Sequence, residues 1–253
     1  MCCFSVPGAA GSLLLRWFRP RVHVEKTRIL ARFVEPRRQF LVYSMDLRVG
    51  AEVAMILPVP VVPGSGEHAL DFVNLEGESD LFDRLDGLFE QAPLPQKGGF
   101  RLAPPRQRLV VHEVGSFVAS FVPTESDFDR LDPRFRLPLR LSDVVPAYRD
   151  YGFAVFQLKP GKVRVHPMAF TFETRAPRRL FFPTVHVHDG RMRPRAKFDH
   201  ALYYQGGSAL QADSVSDRPP RFDAKGALDT SALVCRTKLR GDHANEDIWI
   251  DAS

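Results

Sequence analysis

Between residues 26 and 62 the apolar positions fall into three runs, KTRILARFVE, RRQFLVYSMDLRV and EVAMILPVPVV, each rich in β-branched and aromatic residues. Pro-Arg-Arg and Val-Gly-Ala-Glu separate them, and the pattern predicts a meander of antiparallel strands. The third run is apolar at every position from Val53 to Leu57, which predicts a strand covered on both faces. Pro58, Pro60 and Pro63 predict that its tail leaves the sheet at Pro58, because proline cannot donate to a ladder. HALDFVNL predicts another short strand. Ser79-Asp80 then opens LFDRLDGLFEQA, where Leu81, Phe82, Leu85, Leu88 and Phe89 recur at helical spacing and predict a helix with one face on the sheet.

A Pro/Gly segment, APLPQKGGFRLAPPRQ, places a candidate boundary near 92–107. Beyond it, RLVVHEVGSFVASFVP reads as one or two strands with a bulge at Gly115. Thr124 opens a short helix over DFDRLDPRF, and LSDVVPAYRDYG predicts another, capped at Ser142 and stopped at Gly152. Four strands follow: FAVFQLK, KVRVHPMAFTFET, RLFFPTVHVHD and AKFDHALYYQ. From Gly206 to Ala227 Ser, Asp, Pro and Gly dominate, so 206–253 reads as an irregular C-terminal arm to which SALVCRTKL and DIWIDA add edge strands. The predicted fold class is α+β, predominantly antiparallel β-sheet, sandwich-like, with about three short helices. The reading is one β-rich domain over 1–253, divisible into an N-terminal half at 1–95 and a C-terminal half at 105–205.

Composition adds limits. With 253 residues, 44% hydrophobic and 26% charged, the chain can bury a sizeable core and is neither disordered nor fibrous in character. Its 21 prolines, spread between apolar runs, favour many short elements over long helices. No stretch approaches the ~20 apolar residues of a membrane span, and basic residues follow the apolar piece Gly11–Leu15 where a secretory signal would have them precede it. The expectation is a soluble, cytoplasmic, bacterial protein with no membrane partner. The formal charge of +5 and the basic clusters at 16–38 and 175–197 would attract anions, but no nucleic-acid fold signature accompanies them, so no nucleic acid is expected.

The sharpest candidate chemistry lies in the four-strand block. His186 and His188 are two apart and share a strand face. If consecutive strands pair through turns near Ala176 and Arg193, His166 and His200 fall opposite His186 from either side. Such a row brings three imidazoles within reach of one Zn, Fe or Cu ion. His188 would be a fourth ligand or a base. Arg164 and Arg195 would rim an apolar floor of Met168, Phe170, Phe172 and Phe182 and orient a small, anionic ligand. A one-residue slip sends a histidine to the other face, so the reading rests on register. The competing reading is a non-catalytic binding or scaffold module with structural histidines.

Cys2, Cys3 and Cys235 cannot all pair, which argues against a disulfide framework. The MCCFS start is similar to that of N-terminal nucleophile hydrolases, in which a freed amino group activates its own thiol. That resemblance implies Cys2 as the nucleophile of an amidohydrolase. Arg16 and Arg19 are present downstream, but no acidic residue precedes Glu25.

The order of features also resembles a bacterial family of domains of unknown function. The residues that carry it are Cys2-Cys3-Phe4, MILPVPVVP at Met55–Pro63, LFDRL at Leu81–Leu85, HPMAFTF and LFFPTV. These motifs are short and spread over the first 190 residues. Members of that family look secreted or membrane-anchored, whereas the expectation for this chain is cytoplasmic, and the resemblance implies neither a reaction nor a catalytic residue.

Overall fold

The computed structural model describes residues 2–5, 23–50, 53–89, 118–131, 141–158, 161–187 and 191–252. For residues 2–5, 23, 49 and 161–166 it describes the backbone alone. A five-stranded sheet has the order β10 (His186–Val187), β1 (Cys2–Ser5), β4 (Val53–Val59), β7 (Gly152–Leu158), β6 (Val118–Val122). A seven-stranded sheet runs β12 (Ser214–Val215), β13 (Cys235–Ala244), β11 (Arg195–Gln205), β2 (His23–Glu35), β3 (Arg38–Val49), β8 (Gly161–Glu173), β5 (Leu70–Asn74). A separate pair joins β14 (Ile248–Asp251) to β9 (Arg179–Phe182). Most ladders are antiparallel, with β1–β10 and β2–β11 parallel. The α+β, mostly antiparallel fold expected from the sequence is the fold observed.

The two large sheets face each other across the main core. Met55, Leu57, Phe156 and Leu158 of the smaller sheet meet Ile29, Leu41, Tyr43, Phe170 and Leu202 of the larger. A second core on the outer face of the five-stranded sheet gathers Ile56, Phe153, Val185 and Val187 under Phe128, Leu141 and Tyr148. A third, on the outer face of the seven-stranded sheet, holds Leu30, Val42 and Tyr203 beneath α1 (Leu81–Asp86) and the loop residues Ala227 and Leu228. Among the described residues no helix is long and apolar enough to cross a membrane.

Periodicity located the elements, and tertiary context moved several ends. β4 is buried at all seven positions, as an unbroken apolar run demands of a strand between two neighbours and two cores. It does not leave the sheet at Pro58: Pro58 still pairs with Phe153 and Val59 with Gly152. On its other side β1 reaches only Ala54 to Ile56, so Pro58 sits where the strand is locally an edge and its missing N–H is tolerated. α1 is half the predicted length. Gly87 caps it, and Leu88 and Phe89 close back on Leu85 and Asp86 through N···O bonds of 3.1 and 3.0 Å, a tighter last turn that still delivers Leu88 to the core. The start of DFDRLDPRF belongs to a 3-10 helix at Glu125–Arg130, and its residues 132–135 lie outside the described residues. Residues 141–148 divide into α2 (Leu141–Val144) and a 3-10 turn at Pro146–Tyr148, because Pro146 ends the first and starts the second.

Two larger departures bear on function. RLFFPTVHVHD is not one strand: β9 ends before Pro183, the chain crosses between sheets, and His186–Val187 resumes beside β1. Residues 206–253 are not simply an irregular arm. β13 pairs with β11 over ten consecutive positions and lies inside the sheet, between β11 and β12. Strands from both halves of the chain share each large sheet.

Candidate functional site: a histidine pair between the sheets

The predicted row of His166, His186 and His200 does not form by strand pairing. β8 has β3 and β5 as neighbours, β10 has β1, and β11 has β13 and β2, so the two hairpins that would have aligned the histidines do not exist. The physical reason is the break at Pro183, which sends β9 and β10 to different partners. His186 and His200 nevertheless meet, across the gap between the two sheets and not along one of them. His166 and Arg164 lie on β8 where only the backbone is described, Arg164 at the register position of Asp46. His188 lies outside the described residues. Arg195 is exposed, and its guanidinium is engaged by Asp242 through Nε to Oδ2 at 2.8 Å and a second bond to the Asp242 carbonyl at 2.8 Å.

At the meeting point the two Nε2 atoms are 3.2 Å apart. Phe198 stacks on His186 with centroids 4.5 Å apart and turns its edge to His200 and His243, which fixes both imidazole planes. His200 is only 5% exposed. Burial, reinforced by the neighbouring His186, holds its pKa well below the ordinary histidine value, so His200 is neutral at neutral pH. Its Nδ1 is buried and has no hydrogen-bond partner among the described residues. An N···N contact at this distance needs one donor and one acceptor, so the pair carries a single bridging proton when it carries only protons.

Residues 245–247 position this corner. Asn245 receives the His186 N–H on Oδ1 at 2.7 Å and donates from Nδ2 to the carbonyls of His186 and Arg193 at 2.9 and 3.0 Å. Asp247 accepts the N–H groups of Thr184 and Val185 at 2.9 and 3.1 Å and the hydroxyl of Tyr148 at 2.6 Å. Thr184 Oγ1 donates to the Glu246 carbonyl at 2.7 Å. Burial pushes the Asp247 carboxyl up in pKa, and its hydrogen bonds oppose that shift without reversing it. These polar groups replace the ladder that Pro183 interrupts. Sequence reading missed Asn245 and Asp247, since Asn-Glu-Asp between two strands reads as an ordinary turn.

β1 completes the neighbourhood. Its register sets Cys2 beside His186 in a parallel pair, and Cys3 beside Val187 and Ile56. Strand alternation therefore places positions 2 and 4 on the inter-sheet face shared by His186 and Met55, and position 3 on the opposite face. Among the described residues no group of three or more His, Cys, Asp or Glu is placed to hold a metal ion.

A second polar cluster surrounds α1. Asp86 accepts from Tyr203 Oη at 2.7 Å and from Arg236 at 3.2 Å, and Arg236 lies 4.0 Å over the Phe89 ring. Arg28 pairs with Asp83 at 2.7 Å. Arg84 stacks 4.2 Å over Phe222 and bonds to Glu78. These contacts fasten the short helix to strands β2, β11 and β13.

No protein-family model matches the chain, and no curated protein matches it. Among solved structures it is similar to baculovirus P35, with a TM-score of 0.51, 14% sequence identity, and coverage of 92% of this chain and 97% of that one. It is also similar to a mutated baculovirus P35 after caspase cleavage, with a TM-score of 0.50, 12% identity, and coverage of 90% and 99%. At these identities the likeness is one of fold.

Proposed function

We propose that this chain is a binding module directed at a cysteine protease of the caspase type, which it engages as a slowly released substrate and thereby inhibits, with no reaction of its own. The observation that carries this reading is the fold likeness, over nearly the whole of both chains, to a protein whose solved forms include one cleaved by a caspase. The topology supports it independently. A single backbone cut between Phe89 and Val118 would divide β1–β5 from β6–β14, yet the pieces stay joined by the β2–β11, β3–β8, β4–β7 and β5–β8 ladders. A substrate whose halves cannot separate keeps its new chain ends beside the protease, which slows turnover of the covalent enzyme intermediate. In this reading the buried histidines are structural.

The sequence also frames the test. Residues 90–117 contain Lys97, Arg101, Arg106 and Arg108 and no aspartate, so a cut after a charged residue there follows a basic one or a glutamate. Purified chain is titrated against caspase-type proteases that cut after aspartate and others that cut after Arg or Lys. The expected result is stoichiometric loss of activity in at least one enzyme, accompanied by a single cut in the chain. Full activity of every enzyme at tenfold molar excess of the chain would rule the reading out.

A further inference from the structure

We infer that Tyr203 and Arg236 are positioning residues of the inhibitory cycle: by gripping Asp86 and Phe89 they hold in place the chain end that stays bonded to the protease after the cut. The inference rests on the protease reading and deepens it. Phe89 is the last described residue before the stretch in which the cut falls, so α1 and Phe89 belong to the upstream piece. Tyr203 on β11 and Arg236 on β13 belong to the downstream piece. Asp86 accepts from Tyr203 Oη at 2.7 Å and from Arg236 at 3.2 Å. The Arg236 guanidinium lies 4.0 Å from the centre of the Phe89 ring, and the Tyr203 ring packs beside it with centroids 6.2 Å apart.

The chemistry of the cut makes this grip consequential. The protease thiol attacks the carbonyl carbon of the cut bond, so the upstream piece remains attached as a thioester and the downstream piece is left with a free amine. Two reactions then compete for the thioester. Water hydrolyses it, leaving a carboxylate on the upstream piece and restoring the thiol. Alternatively the downstream amine attacks it, which re-forms the peptide bond and expels the same thiol. The second reaction returns the uncut chain to the bound protease, and its rate depends on how closely the two new ends are kept together.

Contacts of two origins fasten α1. Arg28 on β2 pairs with Asp83 at 2.7 Å, and both lie upstream, so this contact fixes the helix to its own piece. Tyr203, Arg236 and Phe222, whose ring carries the Arg84 guanidinium at 4.2 Å, fix it to the other piece. Without α1 the last upstream strand is β5, which ends at Asn74. The length of chain between the two anchors then grows from the 28 residues that separate Phe89 from Val118 to the 43 that separate Asn74 from Val118. The local concentration of one new end at the other falls roughly as the −3/2 power of that length, a loss of about twofold.

The test measures two quantities on the full-length chain with each caspase-type protease: the rate of the first cut and the half-life of the cut, protease-bound state. The double variant Tyr203→Phe/Arg236→Ala removes both downstream donors to Asp86 and leaves the Arg28–Asp83 pair intact. It should be cut at the parent's rate while the bound state lives about half as long. Tyr203→Phe alone, which keeps the ring and loses only the hydroxyl, should shift the half-life the same way by less. Asp247→Asn, which weakens the fold far from α1, should leave the half-life at the parent's value. A double variant whose bound state lasts as long as the parent's overturns the inference and leaves the protease reading standing, as does an equal shortening by Asp247→Asn, which would trace the effect to stability in general. A parent chain that inhibits none of the enzymes removes the protease reading and the inference with it.

Discussion

Two polar clusters in this molecule differ in what they hold and in how far water reaches them. Around α1, Asp86 is shared by Tyr203 and Arg236, the arginine also lies on Phe89, and the Asp83 and Asp86 side chains are 52% and 42% exposed. Between the sheets, Asp247 accepts from Thr184, Val185 and Tyr148, and Asn245 clamps His186 by both its N–H and its carbonyl. Each cluster contains buried nitrogens without a hydrogen-bond partner among the described residues, Nε of Arg28, Arg84 and Arg236 around α1 and Nδ1 of His200 between the sheets. Water screens the first cluster more than the second, so the α1 cluster fastens a short helix, whereas the corner at Asp247 fixes the crossing between the sheets.

Substitutions can sharpen or break that contrast. The largest effect is expected at Asp247, where replacement by alanine strands Tyr148 Oη and the N–H groups of Thr184 and Val185 at a buried site. The loss should be about 3–5 kcal/mol of unfolding free energy in urea titration, against a smaller loss for Asp247→Asn, which keeps an acceptor. Asp86→Ala should cost about 2–3 kcal/mol by the same measurement, because Tyr203 and Arg236 each lose a charged acceptor but Arg236 retains Phe89. An Asp86 loss exceeding that at Asp247 would reverse the ranking of the two clusters.

Acid should act on the histidine corner. His200 has a folded pKa depressed below its unfolded value, so the unfolded chain binds the extra proton first as pH falls. Stability is therefore full above about 6.5 and declines as pH drops from there toward the folded pKa, at a limiting slope of about 1.4 kcal/mol per pH unit for one proton. Melting temperatures recorded from pH 8 to pH 5 should fall for the parent chain and stay flatter for His200→Gln. Equal slopes would mean that His200 is not the group responsible. The smallest effect is expected at Arg195: its ion pair with Asp242 is exposed at both ends, so Arg195→Ala should change stability by less than about 0.5 kcal/mol.

Much of the fold was legible in the chain because its signals are local. Alternation in RILARFV and FLVYSM, the unbroken apolar core of VAMIL and the Leu81–Phe82–Leu85 spacing each require one kind of element wherever they are placed. Partner choice was not legible. FFPTVHVH looks continuous until Pro183 is understood as a crossing point, and the side chains that make the crossing affordable in hydrogen bonds, Asn245 and Asp247, lie about 60 residues later. The histidine row failed on the same ground, since it assumed that neighbours in sequence are neighbours in a sheet. Two of its members still met, because the apolar face of a strand that also bears histidine must bury that histidine against another sheet. SALVCRTKL was legible as a strand but its place inside the sheet was not, because Cys235–Ala244 alternates partly buried and exposed positions through mostly polar residues, the pattern of an edge.

Native mass spectrometry of the chain mixed in equal amounts with each caspase-type protease tests the central claim most directly. The account predicts a particle that contains the protease and both pieces of a chain cut once between Phe89 and Val118, with the pieces still joined when the protease is removed without denaturant. Separation of the chain into free fragments, or an intact chain that forms no particle with any of these enzymes, would contradict it.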